Sequence, residues 1–328
     1  MDIGLTYDLR SQYLAQGYDE ETTAEFDRDD TIESIAHALK ELGHRTHNIG
    51  NLHELLKQLV DGKRWDLVFN IAEGLHGIGR EAQVPAVLDA YQIPYTFSDP
   101  MVMSLTLHKG MTKRIVRDAG FPTPDFQLME SVEDIASVSF SPPYFIKPVA
   151  EGTGKGITAA SIIQDLKELR SRCVHLLQTY HQSVLVERFL PGREYTVGIV
   201  GTGRDAEVLG TIEVVLLENA EPGVYSYVNK ERCEELVEYR LVNAEKDASV
   251  REAQDIALEV WRLCECRDGG RIDLRCDEAG DPQFLEVNPL AGLHPAHSDL
   301  PIICNLKGIP YIHLIERIVA SARVRVVE

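Results

Sequence analysis

The sequence predicts an α/β protein with a parallel N-terminal domain, followed by two lobes of α+β character. Three observations support this. Strand and helix signals alternate over the first hundred residues, an order that implies parallel strands joined by helical crossovers. Beyond residue 125, short strand-like runs dominate, with fewer helices between them. The chain has 328 residues, 44 % hydrophobic and 26 % charged, enough for two or three lobes with their own cores.

In order, DIGLTYD reads as a short opening strand. Asp30-Thr31-Ile32-Glu33 has the form of a capping box, and Ile32, Ile35, Ala36, Leu39 and Leu42 share one face of the helix it would open. Gly43 stands where that helix should stop. LHELLKQLVDG predicts a second helix, DLVFNI a buried strand, and VPAVLDAYQ a third helix ahead of IPYT. After Asp99-Pro100 a helical stretch carries Lys109 and Lys113, and FPTP at 121–124 breaks it. FQLM, PYFIKPV and GITAASI predict strands, residues 164–178 a helix, and SVLVERF, REYTVGIVG and AEVLGTIEVV three consecutive strands. A polar, irregular segment covers about 219–235. A long helix fits 248–264, GGRIDLRC and PQFLEVN are strands, and a loop leads to a final helix near 310–322. The expected domains are 1–100, 101–182 and 183–328.

Composition narrows the function. The formal charge is −19, from 33 basic and 52 acidic residues, which disfavours a nucleic-acid partner because phosphates require a basic face. Local lysines and arginines still suffice for a nucleotide. The sequence has no apolar run long enough to span a membrane, and MDIGLTYDLR lacks the basic and apolar blocks of a secretory signal. Six cysteines with only Cys264 and Cys266 close together predict reduced thiols in a cytoplasmic protein.

Candidate chemistry concentrates in three segments. Asp273 lies in GGRIDLRCD, and Glu286 and Asn288 in QFLEVNPLAG. Residues two apart on a strand face the same side, and an antiparallel return would set Asp273 beside Glu286. Two carboxylates and an amide oxygen are hard ligands suited to Mg²⁺ shared with phosphates; a hairpin with ordinary polar residues is an equal account of the pattern. Arg271 shares the face of Asp273 and Gly292 follows the second strand, a guanidinium and a backbone N–H suited to a developing oxyanion, or else an ion pair and a turn. FIKPVAEGTGKGI sets Lys147 before a loop with Gly152, Gly154 and Gly156, where backbone N–H groups can approach phosphate, although it is not a Walker A loop. VLVERFLPGREYTVGI flanks a Pro-Gly turn with Glu187 and Glu194. Lys109 and Lys230 alone carry no signal, since exposed lysines are common.

Together and in this order the segments resemble the ATP-grasp fold, and within it the D-alanine–D-alanine ligase family. The likeness runs through QVPAVLDAYQIPYTFSDP with HKGMTKR, FIKPVAEGTGKGI, VLVERFLPGREYTVGIV, GGRIDLRCD and FLEVNPLAG. It implies an N-terminal α/β domain with central and C-terminal lobes clasping ATP. By resemblance, Lys109, Lys147 and Lys230 touch the nucleotide, Glu187 lies on the adenine-edge strand and Glu194 holds ribose. Asp273, Glu286 and Asn288 take Mg²⁺, with Mn²⁺ as a substitute, while Arg271, Gly292 and Thr153 serve catalysis. The implied reaction is phosphorylation of a carboxylate by ATP, attack of an amine on the acyl phosphate, and release of ADP and phosphate. The segment at 219–235 is the expected lid, and a homodimer is expected by analogy.

The amino-acid end departs from the family pattern. The N-terminal Glu that holds the first ammonium is absent from GLTYDLR, leaving Asp8 as a substitute. Glu73 replaces the family's histidine, Thr153 its loop serine, and Glu231 its lid tyrosine. Ser298 belongs to the same substrate end. The expected function is therefore an amino-acid or other carboxylate–amine ligase with an altered first-substrate site. D-Alanine–D-alanine ligase proper, a non-catalytic ATP-binding module and a small-molecule kinase are the alternatives.

Overall fold

Residues 1–326 are described by a computed structural model of the chain. Among them three sheets form. The first is parallel, in the order β2-β1-β3, from β1 (Asp2–Thr6), β2 (Arg45–Gly50) and β3 (Leu67–Asn70). Its helices are α1 (Arg10–Ala15), α2 (Asp29–Glu41), α3 (Leu52–Val60) and α4 (Gln83–Ala90). The parallel arrangement agrees with the alternating order of the sequence. In α2, Ile32, Ile35, Ala36 and Leu39 are buried as the spacing predicts. The expected capping box does not form: Arg28 is the N-cap and no side chain caps the helix. Asp29 and Asp30 instead occupy the first turn, where a negative charge favours the helix dipole.

Helices α5 (Pro100–Leu107) and α6 (Lys109–Asp118) lead to an antiparallel sheet. It has the order β4-β7-β5-β6, from β4 (Phe126–Met129), β5 (Tyr144–Pro148), β6 (Ile162–Ile163) and β7 (Val184–Arg188). Helix α7 (Leu166–Tyr180) covers it, burying Leu169, Cys173 and Leu176 with Ile146 and Val186. The strand expected over GITAASI contracts to β6, because 159–161 turn in a single 3₁₀ step. Since β7 pairs with β4 and β5, this sheet extends to Arg188, past the boundary expected near 182.

The third sheet has the order β10-β9-β8-β11-β12. Its strands are β8 (Glu194–Val200), β9 (Glu207–Leu216), β10 (Val237–Leu241), β11 (Gly269–Cys276) and β12 (Pro282–Asn288). Short helices α8 (Tyr227–Glu231) and α9 (Cys233–Leu236) lie between β9 and β10. Helix α10 (Ala248–Leu263) packs Val250, Ala253, Ala257 and Trp261 against Ile272, Leu274 and Phe284. Gly270 makes room for that indole, since a Cβ there would lie 2.6 Å from the Trp261 ring. The stretch expected as a loop after β12 contains a further helix, α11 (Asp299–Leu306), before α12 (Tyr311–Arg323). Leu300, Ile303, Leu314 and Ile318 of these helices share one core with Ile3, Leu5, Leu39 and Phe69. The N-terminal sheet is thereby fastened to the C-terminal lobe, leaving a cleft between these lobes and the central one. No helix among the described residues is long and apolar enough to cross a membrane.

Candidate active site

Antiparallel pairing of β11 and β12 sets Asp273 opposite Glu286 and Arg271 opposite Asn288. Directly opposed residues share a face, so the four side chains form one row. The register slips by one residue just beyond Asp273, a bulge that re-aims the strand end. Asp273 accepts from the Thr196 hydroxyl at 2.9 Å and is ion-paired to Arg271. Arg271 also reaches Asp299 at 3.1 Å, so it is held between two carboxylates. Glu286 lies 3.3 Å from Lys109. Burial raises the Glu286 carboxyl, but Lys109, Lys147, Lys230 and Arg271 overcome it and hold it below the usual carboxylate range.

This row fits a divalent cation. Its donors are hard oxygens, and among the described residues no cluster of three or more His, Cys, Asp or Glu side chains could hold a metal ion. Two carboxylates and an amide suit an ion that completes its shell with phosphate and water, not one in an all-protein cage. Asn288 points its Nδ2 toward Asp273 at 3.4 Å, so rotation of its amide would present the oxygen.

Beside the row, a cavity of about 80 Å³ opens between the second and third sheets. Lys147, Glu187, Glu194, Lys230, Asp273 and Glu286 line it, with Phe145, Phe189 and Leu190 as an apolar wall. The cavity thus gathers four of the five expected nucleotide residues, Lys147, Glu187, Glu194 and Lys230, from separate stretches of the chain. Lys109 stands just behind, donating to the Glu151 carbonyl at 2.6 Å. Glu194 pairs with Arg275 at 3.1 Å. The Glu187 carboxylate, on the strand expected at the adenine edge, is 1 % exposed and holds Lys113 at 2.6 Å and Lys147 at 2.9 Å. Burial opposes its charge, but the two lysines prevail and lower its pKa. The chain just past it, Arg188 to Leu190, supplies the cavity edge.

The segment at 219–235 lies over the glycine-rich loop. Asn229 ties it together, donating to the carbonyls of Glu221 at 3.0 Å and Val224 at 2.8 Å and accepting from the Glu221 N–H at 3.0 Å. Gly154 has φ +74°, and a Cβ there would fall 2.8 Å from the Tyr227 backbone nitrogen. Only glycine allows this approach.

A larger cleft of about 520 Å³ adjoins the cavity, and Lys230 lines both. Thr153, Glu73, Glu231, Arg271, Asn288, Gly292 and Ser298 all face it. Ser298 accepts from the His294 N–H at 2.9 Å, and its Oγ lies 2.7 Å from where a Gly292 Cβ would stand. Glu231 is 3.5 Å from Arg10. Asp8 does not line this cleft: one carboxylate oxygen accepts from Tyr13 and the other from the Gly74 N–H at 2.8 Å. The acidic groups supplied here by the N-terminal lobe are Glu25, Asp27, Glu73 and Glu81. Three of them went unrecognised in the sequence, and the acidic run around Glu25 and Asp27 was its one available signal. Lys155 was also missed; it pairs with Glu25 at 3.2 Å and Glu151 at 2.6 Å.

Known proteins resemble this chain along most of its length. Residues 115–320 match the family described as D-ala D-ala ligase C-terminus. The chain is 33 % identical over 290 residues to a D-alanine–D-alanine ligase of Aquifex aeolicus, covering 88 % of this chain and 93 % of that protein. It is 31 % identical to the uncharacterized protein y4sG of Sinorhizobium fredii, covering 89 % of this chain and 87 % of that protein. Its fold matches the Bacillus anthracis D-alanine–D-alanine ligase complexed with ATP, with a TM-score of 0.74, 21 % identity and coverage of 99 % and 98 % of the two chains. The chain belongs to the D-alanine–D-alanine ligase family, the ATP-dependent, ADP-forming C–N ligases of the ATP-grasp class.

Proposed function

We propose that this ligase activates a substrate carboxylate with ATP and joins it to an amine, using Mg²⁺ and a substrate pair other than two D-alanines. The carrying observation is that Arg271, Asp273, Glu286 and Asn288 form one row where the nucleotide cavity meets the larger cleft. Asp273, Glu286 and Asn288 are the residues that would hold Mg²⁺ or Mn²⁺, whose charge makes the γ-phosphate accessible to an anionic attacker. Lys147 and Lys230 neutralise phosphate oxygens, and Lys109 steadies Glu286. Arg271, held between Asp273 and Asp299, aims its guanidinium along the row, and with the Gly292 N–H it stabilises the oxyanion when the amine attacks. The lid over Gly154 excludes water from the acyl phosphate. Glu187 acts from behind, keeping Lys147 charged and in place.

The decisive experiment is Asp273→Asn. It should abolish ADP release at saturating Mg²⁺ while the protein stays folded, because Arg271 keeps its partner Asp299; near-parental turnover would refute the assignment. Identity with the Aquifex enzyme favours a second reading, D-alanine–D-alanine ligase proper. Vigorous ADP release with D-alanine as sole substrate would select it. The six cysteines are free and buried, consistent with a cytoplasmic setting. A homodimer is the assembly suggested by analogy.

A further inference from the structure

We propose that the substrate bound against the N-terminal wall of the large cleft carries two cationic groups, as a diamino or guanidino acid does, and that Asp27, Glu73 and Glu81 receive both between them. This rests on the ligase reading, which makes the cleft a substrate site independently of its acids.

The α-ammonium of any amino acid is satisfied by one carboxylate. Four from the N-terminal lobe face this cleft. Glu25 is already committed: its oxygens accept from the Gly152 N–H at 2.6 Å and from Arg80 at 2.8 Å, and Lys155 lies at 3.2 Å. Arg80 and Lys155 overcome its burial and hold it ionised, at about 2. The other three make no ion pair among the described residues. That leaves three carboxylates where an ordinary amino acid requires one.

These acids are fixed in position. Asp27 is pinned through its backbone, its N–H donating to the Asp8 carbonyl at 3.1 Å and its carbonyl accepting from Arg10 at 2.9 Å. Glu73 precedes Gly74, whose N–H is held by Asp8 at 2.8 Å. Gly74 packs so tightly on the turn carrying Glu81 that a Cβ would lie 2.7 Å from the Arg80 carbonyl. Three separate segments therefore place the acids on one wall.

The nearby cations do not neutralise them. Arg80 serves Glu25, Lys109 serves Glu286, and Arg10 is shared between Glu20 at 2.7 Å and Glu231 at 3.5 Å. Arg28 is exposed. Burial raises all three acids: Asp8 adds to it at Asp27, at Glu81 it outweighs the opposing pull of Arg80 and Lys109, and at Glu73 the charges of Glu81, Glu25 and Asp27 add to it against Arg80. A desolvated carboxylate without a counterion is costly, and a cationic substrate group supplies one.

The test compares matched substrates of equal shape. ADP release is measured with lysine against norleucine and arginine against citrulline, in both hands, each with a panel of amine acceptors. The cationic member should win by at least about tenfold in kcat/KM, and Glu73→Gln and Glu81→Gln should pull the ratio toward one. Equal or better turnover of norleucine and citrulline would overturn the proposal while leaving the ligase reading intact. Absence of ADP release with every acid would instead defeat the ligase reading. Calorimetry of lysine and norleucine on the full protein with a non-hydrolysable ATP analogue then decides the wall itself. Selective binding of lysine supports it, and no binding or equal binding refutes it.

Discussion

Replacing Glu187 by Gln would remove the one negative charge between two buried lysines. Lys113 and Lys147 have side chains 0 % and 6 % exposed, and their Nζ atoms lie 2.6 and 2.9 Å from the two carboxylate oxygens. Lys113 would keep neutral acceptors, the Phe284 carbonyl at 3.0 Å and the Thr123 hydroxyl at 2.9 Å. Lys147 would lose its ion-pair partner. Removing one member of a buried pair typically costs about 3–5 kcal/mol, because the other charge is left uncompensated. Burial has already lowered Lys113 to about 8 against the attraction of Glu187; without that attraction it falls further and sheds its proton near neutral pH. Lys147, whose pKa is raised because Glu187, Glu286 and Glu194 together outweigh burial, would fall as well and weaken the hold on phosphate proposed for it. Urea denaturation should therefore show a loss of about 3 kcal/mol or more, and calorimetry a weakening of ATP-analogue binding by about tenfold or more. Lys113→Met should be milder, since it leaves one Glu187–Lys147 pair. A Glu187→Gln protein within about 1 kcal/mol of the parent, with unchanged nucleotide affinity, would refute this role.

Gly154→Ala should strain a residue at φ +74° and drive a methyl group to within 2.8 Å of the lid backbone. The expected result is at least a tenfold fall in kcat/KM and faster proteolysis within 219–235; an unchanged rate and digestion pattern would show that the lid does not depend on this contact. The ligand-free protein should also lose stability as pH rises from 5 to 8. Burial raises Asp27 to about 8 and Glu81 to about 7, so across this interval the folded state binds protons that the unfolded chain has released. Stability must then fall with rising pH. The urea midpoint should decline over that range, and an Asp27→Asn, Glu81→Gln double variant should flatten the decline; a midpoint that rises would contradict the assignment.

Local periodicity and turn chemistry made much of the fold legible. The apolar face of α2 and the alternation that aligns Glu286 with Asn288 are spacing effects, carried by a few consecutive residues. The row of Arg271, Asp273, Glu286 and Asn288 was readable for that reason, needing only a strand, a turn and a returning strand. Elements lacking a local signal were not readable: β2 is RTHNIG, with only Ile49 buried, and α11 followed a loop-like stretch. Side-chain partnerships were also beyond the sequence. It placed Glu187 on a strand, but whether that carboxylate faced a nucleotide or two lysines depended on how α6 and β5 pack around β7. Asp27, Glu73 and Glu81 come from three separate segments, and each alone is an ordinary acidic residue. Packing brings them onto one wall of the cleft and half-buries them, so their charge balance exists only in the folded chain.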